Sequence, residues 1–231
     1  MDFAEAAVQF LFAFTYTQRT AEPFYIYDTL GYFQSLFNYS PILHYMKEAP
    51  SGAKNLALET SVADVVNGLS LNYLRRTAAS ILQYNPETDN RVKQFLINMG
   101  VQRQVFDVGI VLQTDSCVPA VLKQVASLQT RTGKKSLKVF VATERMDLLQ
   151  EFATKGNPSW SFVSLLRNNQ PNDPRYFLEK TLAELQTLRG LEYVAVSFGS
   201  ALGKLIYLTS TAITMESQIL SLDGKSWKAM E

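Results

Sequence analysis

From Val105 onward, short apolar runs alternate with stretches whose apolar residues recur at helical spacing. Val105–Leu112, Leu137–Ala142, Trp160–Leu165 and Tyr193–Val196 are rich in β-branched and aromatic residues, which suits buried strands. Pro119–Leu128, Met146–Ala153, Pro174–Leu188 and Leu202–Leu208 follow them in turn and read as helices. Strands that alternate with helices in this way predict a doubly wound parallel sheet covered by helices on both faces. The tail adds one more strand at Gln218–Leu222, turned by Asp223-Gly224.

The first hundred residues are patterned differently. Phe3–Tyr16 is apolar almost all round and predicts a buried helix, ended by the polar stretch 17–23. Phe24–Tyr27 reads as a strand closed by Asp28, Leu30–Phe37 as a short helix, and Pro41–Met46 as an extended segment carrying His44. A turn cluster at Ala49–Ala53 leads to two helices, Ser61–Gln83 and Thr88–Met99. The expected organisation is a smaller N-terminal α/β half over 1–100 and a C-terminal Rossmann-like half over 101–231.

In an open parallel sheet, ligands sit beyond the carboxyl ends of the strands. Three segments fall there: Gln113-Thr114-Asp115-Ser116, Thr143-Glu144-Arg145 and Ser197-Phe198-Gly199-Ser200. All are mainly polar and follow apolar strands. The third opens a helix, so its free backbone N–H groups, two hydroxyls and a glycine can hold an anion such as a nucleotide diphosphate. Equally, Ser200 can act simply as a helix cap. Asp115 can cap the helix near Pro119 or offer a carboxylate to a ligand hydroxyl, and Thr143 and Glu144 can simply start the helix at Met146. Gly199–Lys204 is not a P-loop: the spacing is one residue short and Leu205 stands where a hydroxyl would hold magnesium.

Composition narrows the function. The chain of 231 residues is 47% hydrophobic, enough for a full core, and its net charge of +1 disfavours a nucleic-acid partner. One cysteine and one histidine make a disulfide framework or a His/Cys zinc site unexpected. The apolar run Val8–Phe14 is too short to span a membrane, and Asp2 and Glu5 stand where a signal peptide would be basic. A cytoplasmic protein is expected. His44, between Leu43 and Tyr45, reads either as a packed histidine or as a base, and Cys117 as a packed thiol.

Several segments resemble the fucosyltransferase group of GT-B glycosyltransferases, which contains the α-1,6- and protein O-fucosyltransferases. Gly109–Asp115 resembles the family's strand ending in His-x-Arg-Arg-x-Asp. Val139–Glu144 resembles its strand ending in Ala-Thr-Asp-Asp, and Val196–Lys204 its Thr-Phe-Ser-Ser-x-x-x-Arg signature at the diphosphate. Val8–Tyr16 with Thr17-Gln18-Arg19-Thr20 resembles the helix that ends in Thr-Gln-Arg-Thr in the α-1,6 group. The departures fall at the donor site: Leu112 and Gln113 replace the two arginines, Ile110 the histidine, and Ser116 the lysine after the Asp.

The resemblance implies a GT-B-like α/β fold and an inverting, metal-independent transfer of a sugar from a nucleoside-diphosphate donor, such as GDP-fucose, to a glycan or protein hydroxyl. It implies no cofactor beyond that donor. Asp115, His44 and Glu48 are the candidates for catalysis. Thr114, Thr143, Glu144, Ser197, Gly199, Ser200 and Lys204 are the candidates for donor binding, with Lys204, Arg145 or the helix start at Ser200 standing in for the missing arginine. The loss of that arginine fits a second reading, a non-catalytic relative that serves as a binding or scaffold module. A third is an unrelated doubly wound protein that binds another phosphorylated ligand.

Overall fold

The structure is a computed structural model that describes residues 3–20, 25–26, 36, 44–45, 66–112, 118–210 and 219–224. By internal packing the chain divides between Arg91 and Val92, and the second compact unit runs over Val92–Trp227.

In the first unit, helix α1 (Phe3–Thr20) packs against α2 (Leu71–Ile81). Leu11, Leu36, Val66, Leu74 and Ala78 are fully buried there. Two short strands, β1 (Tyr25–Ile26) and β2 (His44–Tyr45), pair in parallel, with Tyr25 opposite His44. Two expectations need correction. Helix α1 continues through the polar stretch to Thr20, because Thr, Gln and Arg do not themselves stop a helix without a Gly or Pro among them. The expected helix Ser61–Gln83 is interrupted at Gly68-Leu69-Ser70. Ser70 is the N-cap of α2, and its hydroxyl oxygen accepts from the Tyr73 N–H. Helix α3 (Pro86–Asn98) spans the division; its Pro sits in the first turn, and the Asn85 side chain accepts from the Thr88 N–H at 2.8 Å.

The second unit is built on strands β3 (Val108–Val111), β4 (Leu137–Ala142), β5 (Trp160–Val163), β6 (Val194–Val196) and β7 (Ile219–Ser221). Their order is β5-β4-β3-β6-β7, and every neighbouring pair is parallel. The doubly wound parallel sheet expected from the alternation is present. Helices α4 (Val118–Thr132), α5 (Met146–Lys155), α6 (Pro174–Arg189) and α7 (Ala201–Thr209) connect the strands. Because helices cover both faces, the inner strands bury the residues pointing to either side and read as unbroken apolar runs.

On one face, Val108, Ile110, Val139 and Val141 meet Val121, Val125 and Leu128 of α4 and Leu148 and Phe152 of α5. The opposite face carries α6 and α7, which pack on each other. Gly109 admits that layer closely: a Cβ there would stand 2.5 Å from the Leu188 side chain and 2.8 Å from that of Leu191. Strand β3 is shorter than expected, since Val105 is exposed and the ladder to β4 begins at Val108 opposite Val139. Among the described residues, no helix is long and apolar enough to cross a membrane.

Candidate functional site

The chain leaves β3 in one direction across the sheet and returns to β6 on its other side. The switch point therefore lies between β3 and β6, and their carboxyl ends frame the crevice where ligands of such sheets bind. Of the residues singled out in the sequence, Thr114, Asp115 and Glu48 lie outside the described residues, and His44 lies in β2 of the first unit. Thr143, Glu144, Ser197, Gly199, Ser200 and Lys204 are described. Two clusters form at the carboxyl edge of the sheet, one after β4 and one after β6, with β3 between them. That places them two strand spacings apart, roughly 10 Å.

The cluster after β6 is a tight loop opening α7. Ser200 is the N-cap: its backbone is extended, and its Oγ accepts from the Gly203 N–H at 2.8 Å while donating to the Ser197 carbonyl at 3.0 Å. The Lys204 N–H donates to the Ser200 carbonyl at 2.9 Å. Gly203 is required by close approach, because a Cβ at that position would lie 2.1 Å from the Ser197 carbonyl oxygen. Of the four amides that a helix start leaves without an intrahelical partner, that of Gly203 is satisfied by the Ser200 hydroxyl and that of Ser200 by the Ser197 carbonyl at 3.2 Å. The Ala201 and Leu202 amides have no hydrogen-bond partner among the described residues.

A carboxylate enters this loop from β7. Asp223 Oδ2 accepts from the Ser197 hydroxyl at 2.6 Å and from the Gly199 N–H at 2.7 Å, and its Oδ1 accepts from the Ser221 hydroxyl at 2.7 Å. In the sequence Asp223 reads only as part of a turn with Gly224. Its place in the loop depends on the pairing of β6 with β7, which no local pattern reveals.

After β4, Thr143 is buried and forms the turn into α5. Its Oγ1 accepts from the Arg145 N–H at 3.1 Å, and its carbonyl accepts from Lys180 Nζ at 3.3 Å. Glu144 is exposed at the tip of this turn. Arg145 turns onto Asp147, with Nε donating to Oδ1 at 2.8 Å and Nη2 to Oδ2, and this pairing draws the Asp147 carboxyl down to about 2. Arg145 is therefore engaged with its own helix. Lys204, half-buried on α7, carries the remaining candidate charge of the second cluster.

Beneath Thr143 lies a charged pair that the sequence reading did not single out. Lys180 and Glu184, one turn apart on α6, are both buried, with Lys180 Nζ 2.8 Å from Glu184 Oε1. The two touch as an ion pair without hydrogen-bond alignment at that oxygen. Burial pushes the Glu184 carboxyl up to about 7, against the attraction of Lys180 and with help from the negative charge of Glu144. At the sequence level the pair looks like an ordinary solvated i,i+4 pair; only the crossover of α6 over the sheet buries it.

This gives a pH prediction with a definite sign. The folded-state carboxyl is raised above its usual value of 4.5, so between about 4.5 and about 7 the native state holds more protons than the unfolded chain. Stability from this group is fully present below that window and is lost as the pH rises through it. Asp147 and Asp107, both held low by neighbouring basic groups, add stability that is constant across this window and is lost only in more acidic solution. The expected result is a unfolding midpoint that falls from pH 5 to pH 7.5 by more in the wild type than in Glu184→Gln. Equal slopes in the two proteins would remove Glu184 as the cause.

The fold matches that of solved fucosyltransferases. NodZ alpha-1,6-fucosyltransferase co-crystallized with GDP superposes with a TM-score of 0.55 and 14% identity, over 88% of this chain and 88% of that one. The same enzyme soaked with GDP-fucose gives 0.52 and 13%, over 90% and 89%. No family model and no curated sequence matches the chain. The chain has the α/β, GT-B-like fold of these neighbours.

Proposed function

We propose that the chain is a glycosyltransferase that takes a nucleoside-diphosphate sugar, with GDP-fucose as the first donor to test, and passes the sugar to an acceptor hydroxyl. The observation that carries this reading is the loop at the carboxyl end of β6. It lies at the switch point of the sheet and presents the first-turn amides of α7, in a fold shared with an enzyme crystallised with GDP. The diphosphate lies over Ser197, Gly199 and Ser200, with Lys204 supplying charge. Thr143 and Glu144 form the other wall, and Thr114 is the further candidate for holding the donor. In this reading the acceptor oxygen attacks the sugar C1 with inversion, Asp115, His44 or Glu48 takes the proton, and the nucleoside diphosphate leaves without metal assistance.

One observation favours the second reading, a GT-B-like binding module without transferase activity. Leu112 occupies the position that the resemblance gives to a donor-binding arginine, and it is packed in the hydrophobic core against α4 and α5. Arg145, engaged with Asp147, is not aimed to replace it.

Thermal unfolding with GDP, UDP, ADP and their sugars separates the two. A ligand at about 100 times its Kd stabilises the native state by roughly 2.7 kcal/mol, a shift of roughly 5–11 °C for a chain of this size. A shift with GDP or GDP-fucose alone is the expected result and directs the search to acceptors. Unchanged midpoints across the panel would leave the binding-module reading in its place.

A further inference from the structure

We propose that Asp223 is an internal counterpart of the ligand's anion: it occupies the donors of the loop after β6, and a diphosphate reaches them only by displacing it. The proposal rests on the nucleotide-sugar reading above and adds to it a competitor built into the chain.

Asp223 is placed by the end of strand β7. The β6–β7 ladder is closed beyond its last paired residues by the Leu222 N–H, which donates to the Val196 carbonyl at 2.8 Å. That rung sets residue 223 directly beside the loop that leaves β6. Gly224 follows with φ of 68°, a left-handed conformation that turns the chain away and leaves the Asp223 side chain facing the loop. One carboxylate oxygen then takes both the Gly199 N–H and the Ser197 hydroxyl, and the other is held by the Ser221 hydroxyl. Hydrogen bonds to an ionised acceptor are about twice as strong as neutral ones, so a carboxylate is a serious competitor at such donors.

The Ser200 hydroxyl is also engaged within the loop. The Ser200 hydroxyl donates to the Ser197 carbonyl and its oxygen caps Gly203. A diphosphate that meets the loop in this state finds the Ala201 and Leu202 amides, while Gly199 and Ser197 already face an anion. Rotation of the Asp223 side chain off Gly199 would release both donors together, since they share one oxygen.

The opposite role makes the opposite prediction. If Asp223 served to hold the loop in a binding shape, removing its charge would weaken nucleotide binding rather than strengthen it. The deciding experiment is calorimetric titration of GDP and of inorganic pyrophosphate into the wild type, Asp223→Asn and Ser221→Ala, with unfolding midpoints recorded for each protein without ligand. Asp223→Asn keeps the size of the side chain and removes its charge; Ser221→Ala leaves the carboxylate and removes one of its holds. Asp223→Asn is expected to bind GDP or pyrophosphate at least tenfold more tightly than the wild type, and Ser221→Ala about threefold more tightly. If Asp223→Asn does not unfold cooperatively, the Ser221→Ala comparison alone decides. Equal or weaker binding by the variants, with measurable binding by the wild type, overturns the competitor and leaves the nucleotide-sugar reading standing. An absence of binding in all three proteins overturns both.

Discussion

Glu184→Leu is expected to lower folding stability by about 3–5 kcal/mol, because it strands the Lys180 ammonium in the interior with the Thr143 carbonyl as its hydrogen-bond acceptor. Lys180→Met is expected to differ in a telling way. The carboxyl left behind is already pushed up to about 7 by burial, so it can take a proton and remain inside as a neutral group. Its penalty should therefore be smaller at pH 5 than at pH 8, whereas the Glu184→Leu penalty should persist at both. The double variant removes both charges and is expected to regain most of the loss, since apolar replacements of whole buried pairs are often neutral or stabilising. Urea denaturation of the four proteins at the two pH values completes the cycle. Single variants within about 1 kcal/mol of wild type at both pH values would show that water reaches the pair and that its burial has no energetic weight.

The second large effect is expected at Gly203. An added methyl meets the Ser197 carbonyl oxygen at 2.1 Å and the Ser200 Oγ at 2.7 Å, so Gly203→Ala forces apart the loop and the first turn of α7. Overpacking commonly costs about 1–3 kcal/mol, and more where the obstacle is backbone that cannot rotate away. Here the obstacle is backbone, and the Ser200 cap is disturbed with it. The expected loss is at the upper end of that range or beyond it, seen as a lowered unfolding midpoint, together with loss of any GDP-induced shift. A Gly203→Ala protein with a native midpoint would mean that the loop relaxes without penalty and that its shape is not tightly specified.

Much of the second unit was legible from the pattern alone. Leu137–Ala142 is a strand over the full range read from its apolar run, and the alternation of strands and helices was enough to imply a parallel sheet. The polar segments after β4 and β6 were legible as the carboxyl edge of the sheet because polarity changes abruptly where a buried strand ends. What the sequence hid was pairing at a distance. Asp223 meets Ser197 and Gly199 across 26 and 24 positions, so its role exists only once β7 lies beside β6. Lys180 and Glu184 share a helix face that any reader would place in water, and only tertiary packing buries it. Ser61–Gln83 was over-read for the opposite reason: a continuous apolar spacing outweighed Gly68 and the cap at Ser70.

The all-parallel sheet has a consequence for how this molecule comes into being. Parallel neighbours cannot be joined by a two-residue hairpin, so each ladder must wait for a long crossover to close. Gly109 on β3 finds its β6 partner at Val194 only after two other strands and three helices have been laid down between them. Loop-closure entropy has to be overcome before such contacts return anything, and folding slows as contacts become less local. During that interval the apolar strands stand open along their length, which makes refolding from denaturant a race against aggregation.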